Sequence, residues 1–178
     1  MKISSEKSTF SKLFDVSRET LTKLIQYELK IISFNEKSNI IGKSTIPYIW
    51  KRHFADSAKI LSFITTIVKK NDNRKLTICD VGSGAGFPGL VILILNQEKK
   101  VNFHMTLVES NKKKCSFLKD LIKCFKIKAE VINDRAENLN KKFDIIIARA
   151  VAPLSKFLVF CRNIRKDKTV YILPKGAN

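Results

Sequence analysis

The chain has 178 residues, 44% of them apolar, and 34 Lys and Arg against 16 Asp and Glu give it a net charge of +18. That length is close to one domain and allows a good core, so overall disorder is excluded. A bilayer helix is excluded too, because the longest apolar run, Leu90 to Leu95, falls far short of the roughly 20 residues such a helix needs. The charge favours a polyanionic partner, nucleic acid first, although a composition rich in Lys, Ile, Asn and Phe would produce the same excess. The opening "MKISSEKSTF" lacks the apolar stretch of a secretory signal, and a soluble cytoplasmic protein is expected. Cys79, Cys115, Cys124 and Cys161 form no CxxC pair. They fit neither a zinc site nor a disulfide scaffold and are read as reduced thiols.

Residues 1–16 are polar and read as frayed. From Ser17, a helix cap, the pattern turns helical, with Leu21, Leu24, Ile25, Leu29 and Ile32 on one face. "FNEKSNI" breaks it. A second helix is predicted from Pro47 to about Val68, with Trp50, Phe54, Ala58, Leu61 and Ile64 as its apolar stripe. After the charged turn "KKNDNRK" the pattern alternates between strand and helix. Strands are predicted at Leu76–Val81, His104–Glu109, Ala129–Ile132, Phe143–Ala148 and Thr169–Leu173. Helices are predicted at Pro88–Leu95, Asn111–Phe125 and Pro153–Cys161. Apolar strands separated by helices indicate an α/β fold with a parallel sheet covered on both faces. Ligands in such folds bind at the carboxyl ends of the strands. The expected organisation is a helical extension over residues 1–70 and an α/β domain over residues 71–178, forming one structural unit.

The segment "ICDVGSGAGFPGLVILIL", Ile78 to Leu95, crowds Gly82, Gly84, Gly86 and Gly89 between a strand and a helix. A tight turn needs one or two glycines; four suggest a loop that lets the backbone approach a ligand, beside the free N–H groups of a helix start. A P-loop would need Gly-Lys-Ser/Thr, which is absent. Gly84 to Gly89 match GxGxxG, so a nicotinamide-dependent oxidoreductase is one reading. The run also reads Asp80-x-Gly82-x-Gly84-x-Gly86, which is similar to the first motif of Rossmann-like S-adenosylmethionine-dependent methyltransferases. Glu109 falls at the tip of the next strand, where a carboxylate can take both ribose hydroxyls of an adenosine; either cofactor would satisfy it.

The wider pattern "NEKSNI…RHFADSAKI…DVGSGAGFPGL…LVESNKKKCSFLK…NDRAENL…FDIIIARAVAPL…KG" resembles the bacterial GidB/RsmG family, which methylates N7 of one guanine in 16S ribosomal RNA. The resemblance runs from about Phe34 to Gly176. It implies a Rossmann-like methyltransferase sheet with an N-terminal helical extension, and S-adenosyl-L-methionine as cofactor. Asp80, Gly82, Ser83, Gly84, Gly86 and Phe87 would form the cofactor loop, Glu109 would hold the ribose, and Ala136 and Glu137 would border the adenine. Arg149 would face the place where cofactor and guanine meet and serve as the catalytic residue. In this family two more strands, one antiparallel, follow the "KG". Here the chain stops at "LPKGAN", so a missing strand pair and an uncovered sheet edge are expected.

The chemistry implied asks little of the protein. The sulfonium already activates the methyl group, and guanine N7 has a free lone pair, so no general base is needed. No Pro-Cys is present for attack on a pyrimidine, and "ARAVAPL" stands where an exocyclic-amine methylase would carry an Asn/Asp-Pro-Pro-aromatic run. Alignment would then be the main source of rate. Arg149 could donate to guanine O6 or a phosphate, or else pair with Asp144 or Glu137. "KRHFADSAK" places Arg52 with Asp56, and His53 with Ser57, four residues apart. Arg52 and His53 are expected over the active-site mouth as RNA contacts, with ordinary helix packing and an ion pair as the alternative. Lys112, Lys113 and Lys114 either grip RNA phosphate or form a solvated face. The expected partner is 16S ribosomal RNA or the small ribosomal subunit, bound by a monomer without metal or membrane. A non-catalytic RNA-binding module is the remaining reading.

Overall fold

A computed structural model describes residues 5–149 and 152–174. Five strands, β1 (Leu76–Val81), β2 (Phe103–Val108), β3 (Glu130–Ile132), β4 (Phe143–Ala148) and β5 (Arg165–Ile172), pair in parallel in the order β3-β2-β1-β4-β5. In the register, Val81 lies beside Val108 on one side and Ala148 on the other. The residues that follow, Gly82, Glu109 and Arg149, therefore leave the sheet side by side at its carboxyl edge.

Alternation along the strands divides the core. Leu76 and Ile78 of β1, with Met105, Leu107, Ile145 and Ile147, face one side. Cys79 and Val81, with Val108, Ile146 and Ala148, face the other, and Phe143, ahead of the irregularity in β4, joins that second cluster out of phase. The first side is deep. Against it pack α1 (Ser5–Phe14), α2 (Arg18–Lys37), α3 (Asp56–Lys69), α4 (Gly89–Lys99) and α5 (Lys112–Cys124), so the N-terminal helices and the sheet share one core. Helix α4 is buried continuously from Gly89 to Leu95. It lies between the sheet and the N-terminal helices, which is why its apolar residues form a run rather than a stripe. The second side is covered by α6 (Leu154–Phe160) through Phe157, together with Ala136, Leu139, Cys161 and Ile164.

The structure alters several sequence-based expectations. Residues 5–14 are a helix, anchored by Phe10, whose ring meets Trp50 at 5.3 Å and Phe14 at 4.7 Å. Ser17 does cap α2, its hydroxyl accepting the Thr20 N–H at 3.1 Å. The helix then runs on to Lys37. The Asn35 side chain ends it by accepting the N–H groups of Ile40 and Ile41 at 2.8 and 3.0 Å. The buried face of α2 is Leu21, Leu24, Tyr27 and Ile31, and Leu29 is 58% exposed. The second predicted helix is three pieces: a 3-10 turn (Lys43–Tyr48), a π-helical turn (Trp50–Ala55) and α3. Strand β5 begins at Arg165. Its pairing with β4 slips between Phe143 and Ile145, where Thr169 bonds the Lys166 N–H and the Phe143 carbonyl. In the described sheet β3 and β5 are the edges. The "KG" of the sequence pattern lies outside the described residues, as do Ala150 and Val151.

Candidate active site

The loop after β1 is built on backbone hydrogen bonds and turns through glycines at positive φ. The N–H groups of Gly82 and Ser83 both donate to the Val108 carbonyl, at 2.8 and 3.1 Å, and those of Gly86 and Phe87 donate to the Ser83 carbonyl. Gly84 and Gly86 adopt φ of +58° and +100°. Their open sides point in different directions. A Cβ on Gly84 would meet nothing nearer than the Gly82 carbonyl at 3.8 Å, whereas one on Gly86 would lie 2.5 Å from the Tyr27 hydroxyl. Gly84 thus exposes a bare stretch of backbone, and Gly86 makes room for the interior. Ser83 and Phe87, expected to line the loop, are both buried. The Ser83 hydroxyl turns back to the Asp80 carbonyl at 3.0 Å. Phe87 lies beneath the loop among Tyr27, His53 and Phe54.

Two carboxylates support the loop. Asp80 is fully buried at the end of β1, and its Oδ2 accepts the Gly89 N–H at 3.0 Å, placing negative charge at the start of α4. Its Oδ1 is buried without a hydrogen-bond partner. Burial pushes Asp80 up to about 6, against the pull of Ser83, Gly89 and Arg149. Glu109, at the tip of β2, accepts the Gly84 N–H on one oxygen at 2.9 Å and the Asn111 N–H on the other at 2.8 Å. Asn133, after β3, donates to the Glu109 carbonyl at 3.0 Å and to the Ser110 carbonyl at 2.9 Å. An orphaned anionic oxygen below an open glycine loop suits a cationic ligand, and a carboxylate at the adjacent strand tip suits a diol. S-adenosylmethionine carries both features.

On the other side of β1, Arg149 joins the N-terminal segment to the loop. Its guanidinium donates to the Arg52 carbonyl at 2.8 Å and to Nδ1 of His53, and it lies 5.2 Å from the centre of the Phe87 ring. The His53 ring stacks on Phe87 with centroids 4.8 Å apart. The network fixes the histidine tautomer. Arginine only donates, so Nδ1 is the acceptor and Nε2 carries the proton. Nε2 lies 3.1 Å from the Thr45 hydroxyl, whose own proton goes to the Gly42 carbonyl at 2.7 Å. Burial, then Arg149 and Arg52, push His53 down to about 4. Burial also lowers the Arg149 pKa from its ordinary value, with Asp56 opposing.

The remaining expected residues are spread around the same edge. Ala136 and Glu137 form a 3-10 turn after β3; Ala136 is buried in the second core, and the Glu137 carbonyl accepts from Asn163 at 3.0 Å. Lys112, Lys113 and Lys114 occupy the first turn of α5, capped by Asn111, on the far side of the loop from Arg149. Arg52 is exposed but makes no ion pair with Asp56, which bonds Lys59 at 3.1 Å instead. The π-helical turn between them alters the four-residue spacing assumed from sequence. Arg149 pairs with neither Asp144 nor Glu137: Asp144 is taken by Arg74 and Lys166 at 2.9 Å each, and Glu137 lies 3.9 Å from Arg135. Tyr27 and Asn133 were not expected at the site; Tyr27 sits on the face of α2 that a different stripe concealed. Among the described residues no group of three or more His, Cys, Asp or Glu could hold a metal ion, and no helix is long and apolar enough to cross a membrane.

Sheet order, glycine loop and strand-tip carboxylate define a Rossmann-like nucleoside-cofactor site, and the comparisons with known proteins make it that of an S-adenosylmethionine-dependent methyltransferase. The fold is shared with magnesium protoporphyrin IX methyltransferase from Synechocystis PCC 6803, solved with bound SAM, at a TM-score of 0.55 over 97% of this chain and 77% of that one, with 12% identity. A family model described as "GidB: rRNA small subunit methyltransferase G" matches residues 20–178. Proteins named ribosomal RNA small subunit methyltransferase G are 39% identical in Bartonella tribocorum, over 98% of this chain and 81% of that protein, and 36% identical in Orientia tsutsugamushi, over 93% and 77%. The chain belongs to the GidB family, and the nicotinamide reading of GxGxxG is not favoured.

Proposed function

We propose that this protein transfers a methyl group from S-adenosylmethionine to N7 of a guanine in 16S ribosomal RNA. The observation that carries the reading is the Glu109 carboxylate bonded to Gly84 within an open glycine loop, in a chain of this family. Asp80 would offer its orphaned oxygen to the positive end of the cofactor, Glu109 would hold the ribose, and the turn at Ala136 and Glu137 would border the adenine. When bound, the cofactor supplies a methyl group already activated by its sulfonium.

The protein's own part is alignment. Guanine N7 loses no proton before attack, so a base is not required, and the site agrees with that. His53 is held neutral with both ring nitrogens engaged. Arg149 would contact the guanine O6 or a neighbouring phosphate, its guanidinium set in place by Arg52, His53 and Phe87. Lys112, Lys113, Lys114 and the exposed Arg52 would grip RNA phosphate on the two sides of the loop. The partner is 16S ribosomal RNA, naked or within the small subunit, and the protein would act on it as a monomer in the cytoplasm. Calorimetric titration with S-adenosylhomocysteine, with NADH as control, tests the cofactor. Binding of the first alone supports the reading, and binding of NADH alone overturns it.

A further inference from the structure

The glycine loop is held from two directions. Glu109 takes the Gly84 N–H from the β2 side. One residue on, the Ala85 carbonyl accepts the hydroxyl of Tyr27, which comes from α2 and lies 58 residues away in sequence. Tyr27 is completely buried. Its ring lies against Phe87 at 5.5 Å with planes 24° apart, and against Phe54 and Phe125 at 5.5 and 6.4 Å. Gly86 provides the space for the hydroxyl, because a Cβ there would stand 2.5 Å from it. A phenylalanine would supply the same ring contacts. Burying a hydroxyl is favourable only when it finds a partner, and here the partner is the backbone of the loop.

We propose that Tyr27 is a positioning residue for the cofactor, its hydroxyl fixing the Ala85 peptide so that the Gly84 backbone faces outward. The helical extension is then part of the cofactor site. The inference rests on reading this loop as the S-adenosylmethionine loop. It also explains why Gly86 and Tyr27 meet so closely: the glycine and the hydroxyl are two halves of one contact.

The test compares S-adenosylhomocysteine titrations of the unaltered chain, Tyr27→Phe and Thr20→Val. Thr20 is a control on the same helix, where its hydroxyl donates to Glu98 at 2.7 Å, remote from the loop. Tyr27→Phe should weaken binding about tenfold, the size of one lost hydrogen bond, and raise KM for the cofactor while kcat at saturation stays within about twofold. Thr20→Val should bind as the unaltered chain does, even if its melting temperature falls equally. Unchanged binding by Tyr27→Phe, or equal weakening by both variants, would overturn the proposal. Failure of the unaltered chain to bind would instead remove the reading of the loop, and the proposal with it.

Discussion

Gly84 donates its N–H to the Glu109 carboxylate at 2.9 Å, tying the loop after β1 to the tip of β2. The same carboxylate takes the Asn111 N–H at 2.8 Å, so one side chain organises two loops. Glu109→Gln keeps the shape but leaves one oxygen for two donors and removes the charge. S-adenosylhomocysteine affinity should fall at least about tenfold, about 1.4 kcal/mol, with the fold intact by circular dichroism. Calorimetry checks this.

On the proposed mechanism, in which alignment would be the main catalytic resource, Arg149→Ala should lower turnover on ribosomal RNA by about a hundredfold or more. Arg149→Lys should not restore it, because a single ammonium cannot reproduce a planar fork reaching both Arg52 and His53 while stacked on Phe87. Initial rates with saturating cofactor measure both.

His53→Phe keeps a ring on Phe87 and removes both nitrogens. Turnover should drop because Arg149 loses its support, yet the shape of the pH–rate profile from 6 to 8 should stay the same. A lost inflection in that profile would make His53 a proton carrier.

Asp80 is the group to follow with pH. Its folded pKa is raised from 3.8 to about 6, so the native state binds the proton more tightly than the unfolded chain. Its contribution is present below pH 4, is lost as pH rises through 6, and is level above that. The full swing is about 3 kcal/mol. Asp80→Asn retains an acceptor for Gly89 and does not titrate. Its melting temperature should therefore gain on the unaltered chain between pH 4 and 6 and run parallel above. Parallel curves throughout would refute the burial argument.

Replacing Lys112, Lys113 and Lys114 together by Ala should weaken RNA binding. It should also reduce the slope of log affinity against log salt by about 2, given about 0.7–0.9 per phosphate contact. Cofactor affinity should be unchanged. Filter binding across a salt series distinguishes a phosphate grip from a solvated face.

Much of the fold was legible because the central strands are buried on both faces. The runs "LTICDV" and "FDIIIA" match β1 and β4 residue for residue. The sequence pattern shows only the end of strand β5, because the strand's start is polar and its register slips beside Thr169, a tertiary event without a local pattern. On α2, Leu29 and Ile32 look as apolar as Ile31. Packing against α4 and Phe87 brings Tyr27 inward instead, and hides the residue that meets the loop. The glycines, Asp80 and Glu109 could be found by position alone. The Arg149–His53 contact, spanning 96 residues, depends on how the extension docks and has no signal in the sequence.

The most direct test of the account is methyl transfer itself. The chain is incubated with isotopically labelled S-adenosylmethionine and unmethylated 16S ribosomal RNA, naked or in small subunits, and the RNA is digested to nucleosides. Label recovered as 7-methylguanosine is the expected result. Label in any other nucleoside, or none in RNA from a chain that binds S-adenosylhomocysteine, would contradict it.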